Sequence, residues 1–321
     1  MEKQDDLTLM KPRSYRSVLK AGFRLYSENF RAFFKASWLM TLLYALCCGA
    51  IGTLAVINLS EMTLSIIQMQ AEPMVALILA ARMYALVVLQ ITALTLIAIA
   101  IMSLASATIL NKLKEHKDTA AITLPPRWFS GSPKMMGRTL KGVFLTMLIM
   151  SIPLLLFIAM MAAADALSPE FTTRHLMTIM GTFLVLTLIV MVLALPLTHV
   201  LMKYLMEPAV GYWRRLKTSY GEGMRHWGGL FLVFFVSLLL VQIIAFVVMI
   251  PAYILNFANQ QAYMGQLIGD PLGMPSYIKA LTFCTFTLCC FIQFYVSQIT
   301  LMHNYYIYGS IDSKEEERNK Q

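Results

Sequence analysis

Six apolar stretches, at 34–58, 80–110, 142–164, 176–202, 229–255 and 280–307, leave this chain few ways to fold. Each reaches or exceeds the roughly 20 residues a helix needs to cross a hydrocarbon core about 30 Å thick. Lipid offers a peptide group no hydrogen bonds, so a single span satisfies its backbone by becoming a helix. Composition agrees: 58% of residues are hydrophobic and 13% charged, about half the charged share of an average soluble domain. The expected fold is therefore an all-α membrane protein with six transmembrane helices. The second, fourth and sixth stretches exceed the bilayer, which predicts tilt or projection beyond it.

The first apolar run begins only at residue 34, after a charged and polar segment, and no small-residue cleavage pattern follows a short apolar core. It reads as a retained anchor rather than a signal peptide. All five cysteines, Cys47, Cys48, Cys284, Cys289 and Cys290, fall inside the first and sixth spans. Disulfides and zinc knuckles belong in aqueous loops, so these thiols read as small packing residues.

Charge sets the orientation. Every Lys and Arg except Arg82, Arg174 and Lys279 falls in the N-terminal segment, the two loops after spans two and four, or the C-terminal tail. By the positive-inside rule both termini are cytoplasmic, which requires an even number of spans.

The segment in front of the first span, "RSVLKAGFRLYSENFRAFFKASW" (16–38), places Leu19, Phe23, Tyr26, Phe30 and Phe33 on one helical stripe. Lys20, Arg24, Arg31 and Lys35 flank it. Aromatic rings at the acyl boundary with basic side chains reaching to phosphates predict a helix lying in the membrane interface; a helix packed on the bundle is the alternative. The pattern recurs when "ENFRAFFK" (28–35), "RTLKGVFL" (138–145) and "RHWGGLFL" (225–232) are aligned. Phe30, Leu140 and Trp227 then correspond, as do Ala32, Gly142 and Gly229, and Phe34, Phe144 and Phe231. The chain reads as three units, each an elbow helix followed by a hairpin of two spans. In a single membrane domain, 1–33 is N-terminus and interfacial helix, 34–110 the first hairpin, and 111–141 a loop and elbow. The second hairpin is 142–203, the next elbow 204–228, the third hairpin 229–308 and the charged tail 309–321. Candidate contacts to lipid headgroups are Arg16, Lys20, Arg24, Arg31, Lys35, Arg138, Lys141, Arg214, Arg215 and Lys217. The expected partners are membrane lipids, preferably anionic and on the cytoplasmic side, with a protein subunit as a further option and no nucleic acid.

The run of Leu19, Gly22-Phe23, Leu25-Tyr26 and Asn29-Phe30, followed by six spans, resembles a loose group of bacterial six-helix membrane proteins. That group includes the membrane domain attached to some glycerophosphodiester phosphodiesterases. The resemblance implies a bacterial plasma (inner) membrane protein and brings no catalytic residues, since the soluble phosphodiesterase domain has no counterpart in this sequence.

No catalytic or metal constellation is legible. The histidines are His116, His175, His199, His226 and His303, and none forms an HxxH or ExxH pair. His199, His226 and His303 fall near the inner ends of spans four, five and six, where they could be neighbours. No cofactor is expected. Span six carries a polar stripe, Gln293, Ser297, Thr300 and Asn304, with Thr282 and Cys289 roughly in line, and Gln90 and Gln242 are candidate partners across the bundle. Such a stripe should face inward, as interhelical glue or as a path for substrate. No span has an ionisable residue near its middle, which argues against an ion-coupled carrier. Glu207-Pro208 reads as a turn and "DSKEEERNKQ" as a solvated tail. The expectation is a non-enzymatic membrane protein that interacts with lipid or a partner subunit. The alternative is a transporter or permease component moving a small or amphiphilic molecule.

Overall fold

A computed structural model describes residues 8–68, 84–125, 132–167, 173–269, 275 and 277–320. The described elements are all α-helices: α1 (Tyr15–Gln68), α2 (Ala85–Thr119), α3 (Pro133–Met150), α4 (Ile152–Leu167), α5 (Thr173–Met206), α6 (Tyr212–Arg225), α7 (Trp227–Leu267) and α8 (Ile278–Asn319). Among the described residues, six stretches are long and apolar enough to cross a membrane: Tyr15–Met62, Ala85–Thr119, Pro133–Met160, Met177–Met206, Trp227–Gly265 and Ile278–Asn319. Two expected outer loops are shorter than the sequence suggests. Helix α1 runs to Gln68 into the Met- and Gln-rich 59–79, whose remainder lies outside the described residues. Helix α7 runs to Leu267 into the proline-containing 256–279, of which 270–274 and 276 lie outside them.

Proline marks two of the helix boundaries, although Pro196 and Pro251 stand inside α5 and α7. Residues 15–68 contain none, and the amphipathic segment runs without interruption into its span as one helix of 54 residues. Pro153 follows the interruption at Ser151, where α3 gives way to α4 and the Ser151 N–H donates to Met147 O at 2.8 Å; it stands in the first turn of α4, where its missing N–H costs least. Pro208 disfavours helix at Glu207, and α5 ends at Met206. Of the three expected elbows, only the third is a helix of its own, α6. The elbow of α1 packs on the bundle along one side: Val18, Leu25 and Phe33 are buried, and Tyr26 donates its hydroxyl to Tyr295 O at 2.8 Å. Phe23, Phe30 and Phe34 on the other side are exposed. The aromatic stripe is thus shared between core and surroundings.

The most buried core sits at the end where the basic segments meet. Tyr305, Tyr306 and Tyr308 of α8, Leu25 and Phe33 of α1, and Ile109, Leu110 and Leu113 of α2 are almost completely covered. Small residues bring backbones close, as membrane helix packing requires. A Cβ on Gly22 would meet His303 Cδ2 at 2.4 Å and its backbone N at 3.1 Å, and one on Gly142 would meet Leu201 at 2.7 Å. Toward the other end, Leu86, Leu89 and Leu96 of α2, and Leu184, Val185 and Leu188 of α5, are exposed. In water such surfaces would aggregate; in a bilayer they face acyl chains.

Candidate functional site at the basic end of the bundle

Four segments far apart in sequence converge here. The Arg13 N–H donates to Ser310 Oγ at 2.9 Å, His116 Nδ1 lies 3.0 Å from the Tyr305 hydroxyl, and Lys117 Nζ donates to the Tyr308 hydroxyl at 2.9 Å. At the centre is Lys203 of α5. Its ammonium lies 2.8 Å from Asp312 Oδ1 on α8 and 3.0 Å from Glu222 Oε2 on α6. His199, one turn earlier on α5 and completely buried, places Nε2 3.4 Å from Glu222 Oε2 and 3.9 Å from Asp312 Oδ1. Burial pushes the Glu222 carboxyl up, but hydrogen bonds and charge from His199 and Lys203 outweigh it and hold the group down at about 2. A second cluster adjoins: Tyr308 donates its hydroxyl to Glu207 Oε1 at 2.9 Å, and Arg215 pairs with Glu207 Oε2. A third joins His226 Nε2 to Glu315 Oε1 at 3.1 Å, with Arg225 and Arg318 on the same carboxylate.

The donor atoms of His199, Glu222 and Asp312 lie within 4.8 Å of one another, close enough for a metal ion. Lys203 already supplies the positive charge between the two carboxylates, so an ion would first have to displace it. The arrangement fits a structural ion network that ties α5, α6 and α8 together. The sequence reading missed it. Its one signal was His199 and Lys203 four residues apart, which places both on one helical face.

The tail is also more than a solvated end. Helix α8 continues to Asn319, and Asp312, Ser313 and Glu315 are buried. A carboxylate can be buried here because each has a cation or imidazole within hydrogen-bond reach.

Two of the ten expected headgroup cations turn inward. Arg138 donates to Tyr204 O and to Pro208 O (3.1 Å) and stacks on the Tyr204 ring at 4.0 Å, covering carbonyls that the end of α5 leaves without partners. Arg215 is held by Glu207. Arg24 is half-buried and pairs with Glu28 at 2.8 Å, and Lys35 is half-buried. Arg16, Lys20, Arg31, Lys141, Arg214 and Lys217 are exposed. Arg13, Arg16, Lys20 and Arg24, with Ser14 and Ser17, line one groove of about 400 Å³. Arg13 is itself buried and donates to Thr8 O at 2.7 Å.

The expected polar partners across the bundle are corrected more strongly. Gln90 and Gln242 are exposed on the outside of their helices. Gln293, Ser297, Thr300 and Asn304 are only half-buried, and the fully buried face of α8 carries Gln298 and His303 instead. His303 Nδ1 lies 2.6 Å from Ser237 Oγ of α7, and Asn259 of α7 donates to Ser60 Oγ of α1 at 2.9 Å. His199, His226 and His303 each have separate partners rather than forming one cluster. Nothing is described of the His175 side chain.

Helix α6 and the start of α7 are fastened to α5 beside Pro196, which lies inside that helix. Proline has no N–H to offer the carbonyl four residues back. That carbonyl, Val192 O, accepts from Trp227 Nε1 at 3.1 Å, and its neighbour Leu193 O accepts from the Tyr220 hydroxyl at 2.8 Å. Gly223 lies so close that a Cβ there would meet Pro196 Cβ at 3.0 Å.

The chain was compared with protein-family models, curated proteins and solved structures, and no match was found in any of the three. Its class rests on the fold alone. This is an all-α, multi-pass integral membrane protein with six candidate spans.

Proposed function

We propose that the protein is a non-enzymatic component of a bacterial plasma membrane that binds anionic phospholipid headgroups at its cytoplasmic, basic end. The observation that carries this reading is the groove of Arg13, Arg16, Lys20 and Arg24, in which Arg16 and Lys20 are exposed. Each cation near an anionic leaflet contributes about 1 kcal/mol of attraction. Arg31, Lys141, Arg214 and Lys217 extend the exposed basic surface. The inward cations Lys203, Arg138 and Arg215 keep the helix ends rigid while the outward ones remain available to lipid.

Native mass spectrometry of gently purified protein tests the reading. Anionic lipid should be enriched over its share of the membrane, and Arg16→Gln with Lys20→Gln should reduce that enrichment. Equal retention of neutral and anionic lipid would reject it. Reporters fused after Tyr212 and at the C-terminus should report cytoplasm, and one at Gln266 the exterior.

One observation favours a carrier instead: Asp312 is a buried acid that faces the bundle. Two facts weigh against it. Lys203 neutralises that acid, and the part of α8 leading away from it presents Met302, Ile299 and Phe294 as buried apolar core.

A further inference from the structure

An apolar groove of about 480 Å³ lies between α3, α5 and α6, lined by Ile149, Met150, Leu193, Ala194, Leu197 and Leu216 among others. A second hollow of about 190 Å³ shares Met150, Ala194 and Leu197 with it and continues toward α7. The walls are fixed by features already described. The interruption at Ser151 ends α3, and Tyr220 of α6 and Trp227 at the start of α7 bond to the α5 carbonyls one turn before Pro196. The groove is thus preformed, as ligand sites commonly are.

Its rim decides the occupant. Lys217 is the only charged residue in the lining and is exposed. Tyr220 also lines the groove, but its hydroxyl is committed to Leu193 O. Arg214 and Trp213 are exposed one turn earlier on α6. An apolar slot lined by one exposed lysine, with an exposed tryptophan one turn away on the same helix, matches an acyl chain capped by a phosphate, because tryptophan and snorkelling lysine sit at headgroup level.

We infer that this groove seats one acyl chain of an anionic phospholipid, with Lys217 on its phosphate. The inference rests on the lipid-binding reading and adds a site on α6 that is separate from the α1 groove. Two other occupants compete: annular lipid that exchanges freely, and an apolar helix of a partner protein.

The test uses the full chain in nanodiscs of phosphatidylcholine containing a phosphatidylglycerol with a photoreactive group midway along one chain. Adducts are mapped by peptide mass spectrometry after a chase with excess unlabelled phosphatidylcholine. Labelling at Ile149, Met150 or Leu193 should survive the chase, while labelling at Ile243 and Phe246, exposed on α7, should be lost. Lys217→Gln should lower the groove signal about fivefold, the equivalent of about 1 kcal/mol per cation, and Ala194→Trp should fill the slot and abolish it. Arg16→Gln with Lys20→Gln should leave groove labelling intact, so failure of the α1 reading is distinguishable from failure of this one. Groove and α7 signals falling together in the chase would leave annular lipid only. Groove labelling indifferent to Lys217, or no lipid adduct in the groove at all, would also overturn the inference.

Discussion

Lys203 on α5 and Asp312 on α8, 109 residues apart in sequence, lie 2.8 Å from each other with both side chains largely buried. Glu222 on α6 reaches the same ammonium at 3.0 Å. One cation therefore fastens three helices. Lys203→Met would leave the buried Asp312 and half-buried Glu222 carboxylates facing each other with only the His199 imidazole between them. Its stability should fall by about 3 kcal/mol, the scale of a buried pair broken on one side, as read by equilibrium unfolding in mixed micelles. Asp312→Asn should cost less, because Glu222 still neutralises the lysine. Equal stability of Lys203→Met and wild type would show that the network carries no load.

The same network sets a pH dependence. Folding holds the Glu222 carboxyl down at about 2, below the ordinary value of about 4.3 for an unfolded Glu. The unfolded chain therefore takes up this proton first. The group's contribution should be complete above about pH 4.3 and lost as pH falls from there toward 2. Glu222→Gln should flatten that part of the profile, which thermal melting of the two proteins in detergent across this window would reveal. Parallel profiles would place the acid sensitivity elsewhere.

Gly22 marks a close approach of α1 and α8, since a Cβ there meets His303 side chain and backbone. Gly22→Ala should destabilise by about 1–3 kcal/mol, typical of overpacking. Gly137 of α3 has nothing within 4 Å of a built Cβ, and Gly137→Ala should be neutral or stabilising by up to about 1 kcal/mol through helix propensity. Melting both variants side by side separates packing from propensity.

Polar residues inside and outside the bundle should respond oppositely to substitution. Ser237→Ala removes the partner of His303 Nδ1 and should cost about 0.6 kcal/mol, with about 1.7 as the upper end for such bonds in membranes. Gln242 is exposed on α7, and Gln242→Leu should be neutral or favourable in lipid. A larger loss from Gln242→Leu than from Ser237→Ala would reverse the assignment of inward and outward faces.

The six spans and the gathering of basic segments at one end were legible in the sequence for a common reason. Hydropathy is a sum over a window and charge asymmetry a sum over a loop, so neither depends on how the helices are turned. Which side of each helix faces the core does depend on it. Successive side chains step around an α-helix by about 100°, at 3.6 residues per turn, so the buried face of α8 that carries Gln298 and His303 lies roughly half a turn from the Gln293–Asn304 stripe. The periodicity showed a stripe on α8 but not the angle at which neighbours meet it. Gln90 and Gln242 were misplaced for the same reason, and α1 and α7 supply the partners through Tyr26, Ser237 and Asn259. Charge showed the same division. The sequence placed Arg138, Arg215, Asp312 and Glu315 at the basic end, but only packing brought a carboxylate, a ring or an open helix terminus within reach and turned them inward.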